Sequence, residues 1–159
     1  MQRAQLAPLI YRGGALFSLL AFLNACVPFP HYARVSPAVD GRVHRNQRPI
    51  ENATVYIEHP KDDKCSFQSD VRTRTGVDGR FRFDVRKEFQ LFLAMDPGCN
   101  WQVCIADGTS QYRGWLENGI GCPAPKLTLD CNLTDEPYTT RIGNSIRRIS
   151  GICRSTKTQ

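Results

Sequence analysis

The feature that most constrains the fold is an alternation of apolar and polar residues that begins near residue 39. Apolar residues occupy every second position in the segments 39–44, 53–58, 101–106 and 127–133. A period of two places successive side chains on opposite faces of a strand, whereas an amphipathic helix has a period of 3.6. Residues 89–95 (FQLFLAM) place apolar side chains on both faces, which predicts a central strand buried on both sides, or one half-buried strand. Turn residues separate about seven such segments, so the sequence predicts an all-β sandwich.

The first 25 residues have the three parts of a secretory signal. Arg3 and Arg12 give them positive charge, and they contain no acidic residue. Residues 15–23 (ALFSLLAFL) are an apolar run, shorter than the roughly 20 residues that a membrane-spanning helix needs. We therefore expect residues 1–25 to be a cleaved signal peptide.

The apolar run ends at Leu23-Asn24-Ala25-Cys26, where a small residue directly precedes a cysteine. This tetrapeptide resembles the lipobox of bacterial lipoproteins. The resemblance implies cleavage before Cys26 and acyl chains on the new N-terminus, which anchor it by about 0.8 kcal/mol per buried CH₂. Val27, which follows, is similar to the outer-membrane sorting pattern of such proteins. We expect a lipid-anchored protein of the bacterial cell envelope, on the outer membrane and facing the periplasm. The alternative is an ordinary signal whose cleavage leaves Cys26 unmodified.

The chain has seven cysteines, and lipidation of Cys26 leaves an even number. The six candidates for disulfide bonds are Cys65, Cys99, Cys104, Cys122, Cys131 and Cys153. An oxidising periplasm favours disulfides, although the spacing does not choose among the connectivities. A metal site is the weaker alternative because C-x-x-C is absent and the histidines lie away from the cysteines. We expect no metal and no cofactor.

Charge and composition divide the chain after the signal into three parts. Residues 26–37 contain three prolines and predict an extended tether behind the lipidated N-terminus. Residues 38–135 form the predicted sandwich, and the region 26–135 has 14 basic and 14 acidic residues. Residues 136–159 hold five basic residues and one acidic residue, and are predicted to be a basic tail that Cys153 fastens to the domain. Such a tail would suit anionic lipid or cell-wall polymers, with a solubilising end as the alternative. A neutral domain in the envelope also argues against nucleic acid as a partner.

The segment 70–86 predicts a hairpin with many arginines. Its loop, Val77-Asp78-Gly79, supplies a glycine for the left-handed position of a bulged turn. We expect the two strands to pair with each other in a register that sets arginines opposite carboxylates, because like-charge pairs are unfavourable. That register leaves Arg74 facing Arg82 as candidate binding residues. A solvated charged face is the alternative.

Residues 38–85 also carry a family pattern of strand and turn residues. It consists of Val39-Asp40-Gly41-Arg42-Val43, Pro49, Ala53-Thr54-Val55-Tyr56-Ile57, Thr75 and Asp78-Gly79-Arg80-Phe81-Arg82-Phe83. These residues resemble the carboxypeptidase regulatory-like domains, whose fold is a transthyretin-like (prealbumin-type, Ig-like) sandwich. That family usually has Thr-Asp before its turn, where this chain has Gly76 in the Asp place. The resemblance implies a fold and not an activity.

Two enzyme families share the transthyretin-like fold, and neither pattern fits this chain. Hydroxyisourate hydrolases end in Tyr-Arg-Gly-Ser, whereas Tyr112-Arg113-Gly114-Trp115 lies in mid-chain and lacks the serine. Intradiol dioxygenases need paired Tyr and His iron ligands, and the histidines here do not sit in such a pattern. We therefore expect a protein that is not an enzyme.

The expected function is a binding or structural module of the envelope. A protein partner would contact an edge strand or the arginine-rich hairpin. One alternative is an inhibitor or immunity lipoprotein against a secreted hydrolase. Another is carbohydrate or cell-wall binding by Tyr112 and Trp115. The competing interpretation is that Trp115 is a core residue. The oligomeric state does not follow from the sequence.

Overall fold

The structure is a computed structural model that describes residues 30–60, 64–91, 98–120, 124–141 and 146–156. These residues contain β-strands and no helix, so none of them forms a helix that could cross a membrane. The strands are β1 (His31–Ser36), β2 (Ala38–Arg45), β3 (Arg48–Pro49), β4 (Thr54–Glu58), β5 (Arg72–Arg74), β6 (Arg80–Phe83), β7 (Arg86–Gln90), β8 (Gly98–Asp107), β9 (Ser110–Ile120), β10 (Lys126–Asn132), β11 (Tyr138–Arg141), β12 (Arg148–Gly151) and β13 (Cys153–Ser155). The predicted signal peptide, with Cys26, lies outside the described residues.

Two sheets contain most of the strands. In the five-stranded sheet, β2 runs parallel to β10, and β13 pairs with the other edge of β10. The free edge of β2 pairs first with β6 and then with β3. The six-stranded sheet is antiparallel in the order β11-β12-β9-β8-β4-β5. A third sheet pairs β1 with β7.

One hydrophobic core joins the two large sheets. Alternate residues of β10 are buried, as the period of two predicts. The core takes Val39, Val43, Phe81, Phe83, Leu127, Leu129 and Cys131 from the five-stranded sheet, and Val55, Ile57, Trp101, Val103, Ile105, Trp115 and Ile149 from the six-stranded one. The prediction of an all-β protein is confirmed, and the arrangement is consistent with a β-sandwich.

The predicted hairpin has the expected turn but the wrong strand pairing. The Gly76 N–H donates to the Arg80 carbonyl over 3.0 Å, and Gly79 has φ of +74°. Beyond this turn β5 pairs with β4 and β6 pairs with β2, so the two strands enter different sheets. Cross-strand charge pairs contribute only about 0.2–1 kcal/mol. Burying Phe81 and Phe83 against β2 contributes about 1.5–3 kcal/mol for each ring, which explains the outcome.

Strands also occur where a tether and a tail were predicted. Residues 31–36, inside the predicted tether, form β1. The boundary at residue 135 is wrong, because β11 and β12 continue the six-stranded sheet and β13 joins the five-stranded one. Ile149 and Ile152 are buried there and belong to the core, whereas Ile146 is 72% exposed.

The described residues of the segment 89–95, which are 89–91, do not form the buried strand that the sequence predicts. Strand β7 begins before the run, at Arg86, and ends at Gln90. Phe89 is 59% exposed and Leu91 is 47% exposed. Residues 92–95 lie outside the described residues.

Two glycines allow the chain to cross between the sheets. Gly114 is the extra residue of a β-bulge, since Val103 pairs with Trp115 while Cys104 pairs with Arg113. Gly151, with φ of +140°, ends β12 next to this bulge. A Cβ on Gly151 would lie 2.2 Å from the Gly114 carbonyl oxygen, so the close approach requires glycine.

Candidate functional site

Four arginines line an open groove on the five-stranded sheet. We call it the arginine groove: it has a volume of about 650 Å³ and is lined by Arg42, Arg74, Arg80 and Arg82, with Asp40 and Asp130. The four arginines are exposed. The predicted residues Arg74 and Arg82 are thus brought to one groove, although they come from different sheets and do not face each other in a hairpin.

Carboxylates neutralise only part of this groove. Arg82 Nε lies 3.7 Å from both Asp40 Oδ1 and Asp84 Oδ1, and Arg80 Nε lies 3.3 Å from Asp78 Oδ2. These pairs are exposed, so each contributes about 0–1 kcal/mol. Within the described residues, Arg42 and Arg74 form no ion pair. The groove therefore offers two guanidinium groups to an acidic partner.

Backbone register explains why Arg42 keeps its charge available. Arg42 stands opposite Arg80 on one side and opposite Asp130 on the other. Asp130 is engaged elsewhere, because its Oδ1 lies 3.2 Å from Nε2 of the buried His44. His44 Nδ1 accepts the Gln47 N–H over 3.3 Å, so both ring nitrogens have partners. His44 is thus a structural histidine that shapes the groove.

Tyr112 and Trp115 do not form the aromatic face that carbohydrate binding needs. Trp115 is 3% exposed, which confirms the interpretation of this residue as core. Tyr112 is partly buried and packs against the same core. The bulge at Gly114 is the cause, since the extra residue turns Tyr112 and Trp115 towards the same side of the sheet. Without an exposed indole, the pair cannot stack on a sugar ring.

Four of the six candidate cysteines form disulfides. Cys65 is bonded to Cys104 on β8, and Cys131 on β10 is bonded to Cys153 on β13. The second bond confirms that Cys153 fastens the C-terminal segment to the domain. Cys122 and the side chain of Cys99 lie outside the described part of the chain, so the pairing of these two stays a prediction.

Two polar arrangements near the C-terminus, each with at least one partly buried side chain, were not predicted from the sequence. Arg147 Nη2 donates to Glu117 Oε1 in an ion pair whose side chains are 17% and 4% exposed. Tyr138 donates its hydroxyl to the Cys153 carbonyl over 2.9 Å, and the Arg154 guanidinium lies 3.8 Å from the Tyr138 ring centroid. Burial raises the pKa of Tyr138 above its ordinary 10.0, and the positive charge of Arg154 opposes the rise. The residue types are the only indication of these contacts in the sequence, because the partners are 30 and 15 residues apart.

A second groove, on the outer face of the six-stranded sheet, was also missed. It has a volume of about 510 Å³ and includes Lys64, Arg113 and Arg148.

Among the described residues, no group of His, Cys, Asp and Glu is arranged to hold a metal ion. Comparisons of the chain with protein-family models, with curated proteins and with solved structures found no match.

Proposed function

We propose that this chain is a lipid-anchored protein of the bacterial cell envelope that acts as a non-enzymatic binding module for a protein partner. The observation that carries the proposal is the pair of disulfides, Cys65–Cys104 and Cys131–Cys153. Structural disulfides persist in oxidising compartments, so they support the export that the lipobox at Cys26 implies. The family resemblance of residues 38–85 adds a transthyretin-like identity to the all-β fold as part of this proposal.

The arginine groove is the surface that best suits a protein partner. It combines two uncompensated guanidinium groups, from Arg42 and Arg74, with the backbone of short exposed strands. Guanidinium groups bind carboxylates in two-pronged hydrogen bonds, which favours an acidic segment on the partner. The carbohydrate alternative loses its main support because Trp115 is buried. An inhibitor of a secreted hydrolase would use the same kind of contact, so it stays the competing proposal.

The lipid anchor has a direct test in a Gram-negative host. The full chain and its Cys26→Ala variant are expressed with an alkyne-bearing fatty acid, and labelled proteins are detected after cycloaddition to a fluorophore. We expect label and outer-membrane fractionation for the parent chain and neither for the variant. An unlabelled parent chain in the soluble periplasm would refute the anchor while leaving export intact.

The protein partner is tested by capture from envelope extract. The tagged full chain is purified from membranes in neutral detergent, and retained proteins are quantified by mass spectrometry. We expect one near-stoichiometric protein that the variant R42Q/R74Q no longer retains. The matched control R48Q/K87Q removes two exposed charges outside the groove and should retain it. Equal retention by both variants would refute the arginine groove as the contact, and a captured hydrolase that loses activity on binding would establish the inhibitor alternative.

A further inference from the structure

A basic groove lies on the outer face of the six-stranded sheet, away from the arginine groove. We define the basic groove by its polar lining, which consists of Lys64, Arg113, Asn118, Thr139, Arg148 and Ser150. Leu116, 7% exposed, also lines it. Three side chains carry positive charge and three more can donate hydrogen bonds. The described lining contains no carboxylate.

One end of the basic groove is built by the bulge and a disulfide. The bulge at Gly114 leaves Arg113 beside Cys104 in the register of β8 and β9. Cys104 is bonded to Cys65, so the disulfide holds Lys64 next to Arg113. Two cations from distant parts of the sequence are thereby held together by covalent and backbone constraints, not by flexible side chains alone.

The other end of the basic groove places like charges opposite each other. Asn118 pairs with Arg148, and Arg148 pairs with Arg141 on the edge strand β11. Both arginines are exposed, and neither forms an ion pair with a described carboxylate. Like charges directly opposite in a sheet are destabilising. A bound anion between the two guanidinium groups would remove this repulsion.

The carboxylates nearest in the sheet are already committed to other groups. Glu58 shares the row of Gln102 and Leu116, but its oxygens accept hydrogen bonds from the Ser66 backbone, the Ser66 hydroxyl and the Phe67 backbone. Glu117 pairs with Arg147 in the interior. The positive charges of Arg141 and Arg148 are therefore not balanced by these acids.

We propose that the basic groove binds a phosphorylated ligand with two oxyanion groups. Arg113 and the position of Arg148 lie about four strand steps apart along β9, which is roughly 13 Å at 3.3 Å per residue. Long arginine and lysine side chains from both ends can then hold two separate oxyanions, while Ser150 and Thr139 donate hydrogen bonds between them. The ligand is either the headgroup of an anionic lipid or a free polyphosphorylated molecule, since both present this chemistry. The proposal is independent of the protein partner and of the lipid on the N-terminus.

The test is calorimetric titration of the full chain in neutral detergent. The probes are tripolyphosphate, water-soluble tetrahexanoyl cardiolipin, whose headgroup carries two phosphates, and, as a zwitterionic control, dihexanoyl phosphatidylcholine. We expect saturable binding of at least one anionic probe, weaker by about tenfold or more in R113Q/R148Q because charge-assisted hydrogen bonds are lost. R113K/R148K should retain most of the affinity, since the charge remains. The matched control R48Q/K87Q removes the same charge from exposed positions outside both grooves and should bind as the parent chain does.

Each outcome decides the proposal. Tighter binding of the short-chain cardiolipin assigns a lipid headgroup, and tighter binding of tripolyphosphate assigns a free ligand. No saturable binding of either anionic probe by the parent chain overturns the proposal, as does an equal loss of affinity in R48Q/K87Q. If R113Q/R148Q unfolds, R141Q/R148Q replaces it, because both of its positions are exposed and lie on β11 and β12. A failed protein capture leaves these titrations unaffected, so the two proposals fail separately.

Discussion

Removal of the Cys131–Cys153 bond is expected to lower the free energy of unfolding by about 3 kcal/mol. The bond joins β10 to the last strand, β13, across a sequence separation of 22, and both cysteines are fully buried. The loss of loop-closure entropy in the unfolded chain gives about 3.4 kcal/mol at 25 °C for a loop of this size. The variant C131A/C153A leaves two small side chains in place of the sulfurs, which avoids a buried hydroxyl.

The assay for this bond is guanidinium denaturation followed by tryptophan fluorescence. Trp101 and Trp115 are 0% and 3% exposed, so their emission reports loss of the core. The comparison variant C65A/C104A opens a loop with a separation of 39, for which the same relation gives about 3.9 kcal/mol. Reduction of the parent chain with dithiothreitol should lower the free energy of unfolding more than either pair of substitutions does. A loss below about 1 kcal/mol in C131A/C153A would refute the reasoning, because it would show that β13 stays ordered in the unfolded reference or adds little to the fold.

Three further predictions concern single positions. Gly151→Ala should destabilise the protein by about 2 kcal/mol or more in the same denaturation assay, since its Cβ would meet the Gly114 carbonyl at a positive φ; a parent-like midpoint would contradict this. Glu117→Gln should cost about 3–5 kcal/mol by removing the buried carboxylate that pairs with the partly buried Arg147, and the double variant with Arg147→Met should recover part of the loss; no recovery would argue against a coupled pair. The raised pKa of Tyr138 means that the folded state holds the hydroxyl proton more tightly than the unfolded chain does. The contribution of this group to the free energy of unfolding is therefore complete below pH 10.0 and is lost as the pH rises through the pKa of the folded state. Tyr138→Phe should therefore cost about 1 kcal/mol at pH 8 and flatten the fall in melting temperature above pH 10, and an unchanged slope would contradict the assignment.

The strands were predictable because their signal is local. A period of two fixes which side chains share a face, and the apolar residues of 127–133 are indeed buried while their neighbours are not. The turn at Gly79 was predictable for the same reason, since three residues and one left-handed glycine define it. The pairing of strands is not local. The hairpin prediction compared charge registers between β5 and β6, whereas the fold was decided by which sheet buries Phe81 and Phe83.

The candidate sites were predictable only where the sequence placed the residues close together. Arg74 and Arg82 lie near one another in the chain, and both reach the arginine groove. The basic groove depends on a bulge, a disulfide and the strand β12, none of which the residue pattern specifies. Trp115 shows the effect of one extra residue, because the bulge at Gly114 sets its side chain beside that of Tyr112 in the core. A β-bulge shifts every later side chain to the other face, which a simple alternation cannot anticipate.

The positive charge of the C-terminal segment has three separate roles in the fold. Arg147 is buried against Glu117, and Arg154 lies over the ring of Tyr138, so neither offers its full charge to a ligand. Arg148, by contrast, lines the basic groove. A count of charges along the segment therefore overestimates the charge that its described arginines offer to a membrane or polymer. The arginine groove takes Arg42, Arg80 and Arg82 from the five-stranded sheet and Arg74 from β5, and it shares no lining residue with the basic groove. If both proposals hold, one domain can bind an anionic ligand and a protein partner at the same time, and occupying one groove need not weaken binding at the other.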